Sequence, residues 1–260
     1  MNTKVRGTLA GFCTLIIGVA LGGAAYAQQS EVKEKPPIYT YVAEWAIPRA
    51  QWADMEKSAA ADQKLLEKGF SSGTIVGYGN DMNLIHEPDG PTHDDWWTAT
   101  SMAGLLNQLD QAYKSGTPTS PVLASATKHA DFILVSRFYN WHSGSWKDVY
   151  TREAMYKLKS GAPPDTIDMI SKNLIVPLME KMLADGAIHE YEIDTQAVHT
   201  DSPSQFWVIY IAANAEGLDK VNAALLGAMK SNPLGGPAFN SMVDMDAHRD
   251  SLVRGNATYK

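Results

Sequence analysis

The pattern of hydrophobic and polar positions predicts a strand at the start of two stretches of the chain. Residues 38–52 and 132–146 each begin with a run of β-branched and aromatic side chains, pass through a short turn and carry a tryptophan seven residues after an aromatic residue. In this alignment Trp45 corresponds to Tyr139. Both stretches are therefore interpreted as strands that lead into helices.

A helical periodicity of apolar residues follows each predicted strand. In the first stretch it covers residues 50–68, and Gly69 is the predicted C-terminal cap. In the second stretch it predicts a helix over residues 146–158, a loop at 160–164 and a further helix that Asp165 caps. The second helical region is therefore expected to be longer than the first.

A hairpin with tryptophan on its second strand follows each helical region. Trp97 in the first hairpin is aligned with Trp207 in the second. The residues around Trp207 are apolar on both faces, which is typical of a strand covered on both sides. Helices are predicted next, over residues 105–114 and 217–230.

A His-x-Asp sequence closes each stretch, at His129 and His248. The order β-α-β-β-α-β therefore recurs and predicts two related units, over residues 38–131 and 132–260. This order resembles that of the dimeric α+β barrel superfamily, whose ferredoxin-like units pair through their sheets. The resemblance implies an α+β fold in which two ferredoxin-like βαββαβ repeats of one chain form an intramolecular barrel. The superfamily includes cofactor-free monooxygenases, isomerases, lyases, haem enzymes and binding modules, so the fold alone selects no function.

Residues 1–27 have the order of a secretory signal peptide. A positively charged start precedes an apolar run, and small residues predict cleavage after Ala27. A polar, proline-terminated tether is expected over residues 28–37. The mature protein is therefore expected to be periplasmic or secreted, and a retained N-terminal anchor is the alternative.

The composition limits the possible partners. Cys13 is the single cysteine and lies in the predicted signal peptide, so disulfides, thiolate metal sites and cysteine nucleophiles are not expected in the mature chain. The net charge of −7 and the lack of a Lys/Arg cluster argue against nucleic acid as a partner. No later apolar stretch is long enough to span a membrane. No cofactor or metal is predicted, and the oligomeric state stays open.

Two strand residues are candidates for catalysis. Strand alternation places Arg137 on one face with Tyr139 and Trp141, where a fixed cation could stabilise a carboxylate or an enolate. Its counterpart in the first stretch is Ala43, so this function would be confined to one half. Glu44 interrupts an apolar strand, and a desolvated carboxylate gains basicity. Either side chain could instead reach solvent or pair with a neighbour.

Aromatic and histidine side chains are candidates for ligand binding, provided that the barrel is hollow. They are Trp45, Trp97, Tyr139, Trp207, His129 and His248. The aromatic residues would otherwise fill the core, and each histidine would otherwise belong to a His-x-Asp turn at the start of a strand. His86 and His93 have acidic neighbours and could bind a cation, but the proline and glycine residues between them favour a solvated loop.

The sequence supports three functional hypotheses. The first is an exported small-molecule-binding α+β barrel, whose tryptophan, tyrosine and methionine side chains would suit a flat apolar or aromatic ligand. The second is a cofactor-independent enzyme of the monooxygenase or isomerase kind that uses Arg137 or Glu44. The third is a structural or partner-binding domain with a filled barrel. The sequence specifies neither a ligand nor a reaction.

Overall fold

A computed structural model describes residues 34–198, 204–231 and 235–260. The strands are β1 (Ile38–Trp45), β2 (Gly77–Asn83), β3 (His93–Ala99), β4 (His129–Trp141), β5 (Gly144–Leu158), β6 (Ile188–Gln196), β7 (Gln205–Ala212) and β8 (Val243–Tyr259). The α-helices are α1 (Trp52–Ser72), α2 (Met102–Ser115), α3 (Pro121–Ala124), α4 (Thr166–Ile170), α5 (Val176–Ala184), α6 (Ala215–Ser231) and α7 (Gly235–Met242). A π-helical segment, Ser171–Ile175, joins α4 to α5, and short 3-10 turns occur at Arg49–Gln51 and Thr117–Thr119.

The eight strands close into an antiparallel barrel in the order β1-β3-β2-β8-β5-β7-β6-β4. The first four strands of the chain are adjacent as β4-β1-β3-β2, and the last four are adjacent as β8-β5-β7-β6. The pairs β2–β8 and β4–β6 join the two groups. A closed barrel leaves no strand edge unpaired.

Side chains alternate along each strand between the barrel interior and the outer face. On β1, Tyr41 and Trp45 face outward and pack with Met55 of α1 into a hydrophobic core between the sheet and the helices. Thr40 faces the interior, where its hydroxyl donates to Glu192 of β6 at 3.3 Å. This part of the core therefore lies outside the barrel wall, beneath the helices. The barrel interior combines a smaller hydrophobic cluster, which includes Trp96 and Tyr259, with buried polar groups.

Helix α1 extends beyond its predicted end. Gly69 lies within α1, and the C-terminal cap is Gly73, which has the left-handed φ of 84°. The glycine at position 69 has a packing reason, because a Cβ there would overlap the side-chain amide of Gln108 on α2. The predicted cap was therefore wrong: the glycine marks a close helix–helix approach.

The helix predicted over residues 146–158 is wrong, because these residues belong to β5. β5 pairs with β7 on one side and with β8 on the other along most of its length. Its glutamate, alanine, methionine and lysine residues favour a helix in isolation, but pairing on both sides overrides that preference. The first strand of the second group is consequently β5. Tyr150–Tyr156 (YTREAMY), rather than residues 132–146, matches Tyr39–Trp45 (YTYVAEW).

A β-bulge in β4 breaks the predicted alternation around Arg137. The pairing of β4 with β6 shifts between Ser136 and Phe138, so Arg137 is the extra residue. Beyond the bulge Tyr139 lies opposite the interior residue Glu192. The predicted common face of Arg137 and Tyr139 is therefore wrong, because a bulge moves the following side chains to the other face.

Some predictions fall on residues outside the described ranges. These include the signal peptide with Cys13, and residues 28–33 of the tether; the rest of the tether, 34–37, has no regular secondary structure. The predicted division between residues 131 and 132 falls within β4. None of the helices in the described part of the chain is long and apolar enough to cross a membrane.

Candidate functional site

A hydrogen-bonded cluster of Arg152, Asp250 and His248 lies on the outer face of the barrel, where β5 pairs with β8. The Arg152 guanidinium donates from Nε and Nη2 to the two oxygens of Asp250, at 3.2 and 2.7 Å. The Nε2 atom of His248 lies 3.2 Å from Asp250 Oδ2. This two-point arginine–carboxylate contact fixes the orientation of the guanidinium. It uses two of its five N–H donors.

Both ring nitrogens of His248 face hydrogen-bond acceptors. Nδ1 lies 2.9 Å from the carbonyl oxygen of Met155, and Nε2 faces Asp250. The ring is therefore held between two acceptors. Tyr156 stacks on the ring, with centroids 4.4 Å apart. The Arg152 guanidinium is the permanent positive charge of the cluster.

The cluster lies at the polar end of a cleft of about 350 Å³ between the sheet and the helices. Arg152 and Asp250 line the cleft, as does Tyr210 of β7. Most of the remaining lining is apolar: Leu174, Ile175, Leu178, Met179, Val208, Leu225, Ala228, Met229, Phe239 and Met245. Such a combination of apolar walls and a few convergent polar groups is typical of small-molecule sites.

The helices that cover the cleft leave its mouth apolar and partly open. Leu174 and Ile175 come from the π-helical segment, which interrupts the regular helix where it meets the cleft. Such segments occur frequently at functional sites. Leu225, Met229 and Met245 remain 40%, 54% and 43% exposed. Flexible leucine and methionine side chains can adapt to the shape of an apolar ligand.

The two tyrosines at the polar end stay neutral. Burial, with a further contribution from the Asp250 carboxylate, raises the pKa of Tyr156 above its ordinary value. Burial is also the main cause of the raised pKa of Tyr210. Each phenol therefore keeps its proton at neutral pH and is able to donate a hydrogen bond to a ligand oxygen.

The first half of the chain contains a matching cluster around His129. Its Nδ1 lies 3.0 Å from the carbonyl oxygen of Glu44, and its Nε2 lies 3.1 Å from Asp131. Trp45 stacks on the ring with centroids 3.6 Å apart, as Tyr156 does on the histidine of the second half. The side chain that contacts the aspartate differs between the two clusters. In the first cluster the Tyr41 hydroxyl donates to Asp131 at 2.5 Å. In the second cluster an arginine contacts the aspartate.

The cavity beside the first cluster is much smaller than the cleft. It has a volume of about 60 Å³ and is lined by three predicted ligand-binding residues, Trp45, Trp97 and His129. Trp97 stacks on Tyr41 with centroids 4.3 Å apart. The structure therefore brings these residues together, but mainly as packing. Tyr41 occupies the place that Arg152 has in the second cluster, so the first cluster has no guanidinium group.

The other predicted ligand-binding residues lie apart. Tyr139 is at one end of the barrel, where its hydroxyl donates to the Pro36 carbonyl at 2.8 Å. Trp207 is on the face of β7 opposite to Val208 and Tyr210, which line the cleft. The strand pairing gives the counterpart of Trp97 in the second half. Trp97 of β3 lies opposite Tyr41 of β1. Tyr210 of β7 lies opposite Arg152 of β5 in the same way. The counterpart of Trp97 is thus a tyrosine, and the predicted pairing with Trp207 is wrong.

Neither of the two predicted catalytic residues lines the cleft, the cavity of the barrel interior or the cavity beside the first cluster. The Arg137 side chain is 61% exposed and lies 3.9 Å from Glu34. Glu44 points towards the interior face, and burial raises its pKa, which is the direction expected of a desolvated base. A catalytic role for either residue stays a prediction.

The barrel interior is filled rather than hollow, and the charged residue types that line its cavity are all acidic. The cavity there is only about 40 Å³, and none of the residues that line it is basic. The acidic residues on the lining are Asp81, Asp94, Glu153, Glu190, Glu192 and Asp194. Burial raises the pKa of Asp81 and of Glu192 to about 7 and raises those of Asp94, Glu190 and Asp194. These groups therefore hold protons in the folded protein near neutral pH.

No set of three or more His, Cys, Asp or Glu side chains in the described residues is arranged to hold a metal ion.

Known structures share this fold, although their sequences differ. A candidate monooxygenase from Lactobacillus acidophilus NCFM superposes with a TM-score of 0.62 at 12% identity, over 85% of this chain and 94% of its own. A candidate monooxygenase from Fusobacterium nucleatum gives a TM-score of 0.59 at 7% identity, over 87% and 95%. An anthrone oxidase-like protein gives 0.50 at 9% identity, over 85% and 92%. These matches show a shared fold, and the closed eight-stranded antiparallel barrel with its outer helices confirms the predicted α+β barrel. No protein-family model matches the sequence, and neither does any curated protein.

Sequence reasoning identified His248 but missed its partners in the cleft. Arg152 and Tyr156 were assigned to a helix, so their alternation along a strand was not considered. The available signal was the match between YTYVAEW and YTREAMY: each segment opens with Tyr-Thr and has an alanine two residues before a closing aromatic residue. Tyr210 and the helical lining could not be identified without the strand register.

Proposed function

We propose that the protein binds a small, largely apolar or aromatic molecule with an acidic oxygen in the cleft of its second half. The observation that carries this proposal is the Arg152–Asp250–His248 cluster at the polar end of an apolar cleft of about 350 Å³. An anionic oxygen would meet the guanidinium donors that Asp250 leaves free. The apolar body would lie against the helices.

The size and the charge of the site support this ligand class. Ligand pockets commonly have volumes of roughly 300 Å³ and above, so the cleft can hold a molecule of one or two rings. The cavity beside the first cluster, at about 60 Å³, is too small to hold such a molecule. The Arg152 guanidinium, whose remaining N–H donors Asp250 leaves free, favours an anionic oxygen over a cation.

We infer that the two halves are ferredoxin-like repeats from a tandem duplication. Each half has the same strand order, a His-x-Asp pair stacked on an aromatic residue, and matching segments at Tyr39–Trp45 and Tyr150–Tyr156. In this proposal the first repeat ends with β4 and the second begins with β5. Only the second repeat then keeps an open, positively charged ligand site.

A cofactor-independent enzyme of the monooxygenase or isomerase kind is the second candidate. The two neighbours named as candidate monooxygenases favour it. In this case Arg152 would stabilise an enolate or phenolate formed on the bound molecule, because a guanidinium stabilises developing negative charge in a site with little water. Turnover of a bound ligand would distinguish this candidate from simple binding.

The proposal is tested by the affinity of the protein for 2-naphthoate, with 2-naphthylmethanol as the uncharged control ligand. Arg152→Gln should weaken 2-naphthoate binding by roughly tenfold or more, because charged hydrogen bonds contribute about 1.5–3 kcal/mol. Binding of the alcohol should change little. Arg137→Gln is the matched control, since it removes an equal charge from an exposed arginine. Loss of 2-naphthoate binding in Arg137→Gln, with normal binding in Arg152→Gln, would contradict the proposal and support Arg137 as the functional arginine.

We also propose that the chain is exported and cleaved after Ala27, on the strength of the signal-like residues 1–27. N-terminal sequencing of the protein from the cell exterior or periplasm should then begin at Gln28. Recovery of an intact N-terminus starting at Met1 would contradict cleavage.

A further inference from the structure

A second open pocket lies where the two halves of the barrel meet, outside β2, β3 and β8 and next to α1. Its volume is about 320 Å³. The lining is more polar than that of the apolar cleft: it includes the carboxyl groups of Glu56, Asp95 and Asp148, against the single basic side chain of Arg254. Arg254 is already paired with Asp148 at 3.1 Å. Burial raises the pKa of Asp95 to about 7, so the pocket becomes more negative as the pH rises above that value.

The surroundings of the Thr92 hydroxyl favour one tautomer of His93 in this pocket. The hydroxyl oxygen lies 3.1 Å from the carbonyl oxygen of Trp45, accepts from the backbone N–H of Ile47 at 2.9 Å and lies 2.9 Å from His93 Nδ1. Because the hydroxyl has a single proton, all three contacts are hydrogen bonds only when Nδ1 is protonated and donates to it. In that tautomer Nε2 carries a lone pair.

That lone pair is buried and has no partner. His93 lines the pocket, is only 6% exposed, and its Nε2 forms no hydrogen bond within the described residues. Burial, with a smaller effect of His86, lowers the pKa of His93 to about 4, so the ring is neutral at physiological pH. An unpartnered acceptor in such a position is costly unless a donor binds there.

A carboxyl group beside His93 shows the same deficit. Oδ1 of Asp95 is buried and without a hydrogen-bond partner in the described part of the chain. Asp95 is on the same face of β3 as His93, two residues along the strand, whereas the side chain of Asp94 faces the barrel interior. The pocket thus has two buried acceptors of different chemical kinds, imidazole and carboxylate, without donors.

We propose that this pocket binds a small organic cation, a protonated primary amine, whose N–H groups donate to His93 Nε2 and to the Asp95 carboxylate. An alkylammonium supplies three donors and a positive charge, which matches acceptors of both kinds. The pocket is far larger than a bare ion needs. The described residues also contain no group of three side chains arranged to hold a metal. This site is independent of the ligand proposed for the cleft.

Calorimetric titration with n-butylamine tests the proposal, with n-butanol as its neutral counterpart of similar shape. At about pH 8 the amine is still protonated, since its basicity is similar to that of lysine. The amine should bind and the alcohol should not. Asp95→Asn and His93→Gln should each weaken amine binding by roughly tenfold or more. Asp54→Asn removes a carboxylate from an exposed position of α1 that does not line the pocket, and it should leave binding unchanged.

Three outcomes would contradict amine binding at this pocket. Equal binding of butanol and butylamine would show an apolar site and overturn the proposal. So would equal weakening by Asp54→Asn and Asp95→Asn, which would indicate only a general attraction to an acidic protein. Binding of Mg²⁺ or Zn²⁺ that depends on His93 and Asp95, without any binding of the amine, would make the site a metal site instead. The comparison of amine with alcohol uses the unmodified protein and so remains decisive if a variant fails to fold.

Discussion

The acidic barrel interior predicts an unusual dependence of stability on pH, which Asp81→Asn should reveal. Asp81 is 6% exposed, and its Oδ2 accepts a hydrogen bond from the Trp96 indole N–H at 2.9 Å. Burial raises its pKa from 3.8 to about 7. Asparagine has nearly the same shape and keeps an acceptor oxygen for Trp96, but it carries no charge at any pH.

The sign follows from the raised pKa. Between about pH 4 and pH 7 the unfolded chain releases the Asp81 proton while the folded protein keeps it, so the free energy of unfolding falls as the pH rises. The change from 3.8 to about 7 corresponds to roughly 4 kcal/mol, at about 1.4 kcal/mol per pKa unit. Below about pH 4 both states are protonated and the contribution disappears.

Urea unfolding of the wild type and of Asp81→Asn at several pH values measures this contribution. The variant should gain less than about 1 kcal/mol at pH 4 and about 2–4 kcal/mol at pH 8, where part of the gain is lost in fitting the amide N–H groups. Asp54→Asn on the surface should show no such trend, because exposed charges contribute little. A difference between wild type and Asp81→Asn that is the same at pH 4 and pH 8 would refute the reasoning.

Two further substitutions test the packing. Trp97→Ala should lower the free energy of unfolding by about 3–5 kcal/mol, because Trp97 is 5% exposed and stacked on Tyr41; a loss below about 1 kcal/mol in thermal or urea unfolding would show that Trp97 is not a core residue. Gly255→Ala should destabilise the protein by about 1–3 kcal/mol or more, because the new Cβ would overlap the carbonyl oxygen of Asn80 on the paired strand β2. An unchanged urea midpoint in this variant would contradict the β2–β8 register.

The sequence pattern was sufficient for the parts of the fold that local signals specify. The aromatic and β-branched run of β1, the amphipathic α1 and α2, and the doubly apolar β7 were all predicted in the right order. An α+β barrel follows from that order. These elements have side chains whose intrinsic preference agrees with their final environment.

The errors lie where tertiary contacts decide. β5 contains helix-forming residues and becomes a strand only because β7 and β8 pair with it. The bulge at Arg137 has no clear local signal, yet it determines which face the following aromatic residues occupy. Arg152 was missed because β5 was predicted to be a helix. Arg137 was placed on the wrong face because the bulge in β4 was not predicted. The candidate site therefore depended on strand register, which residue types alone do not specify.

The central claim is that the ligand site is the cleft of the second half. The most direct test is an NMR titration of 2-naphthoate into protein labelled at its methionine methyl groups. Met179, Met229 and Met245 line the cleft, whereas Met55 and Met82 line the acidic pocket next to α1. We predict saturable shifts confined to the first three methyl signals and absent in Arg152→Gln. Shifts at Met55 and Met82, or no saturable shift in the cleft, would contradict the account.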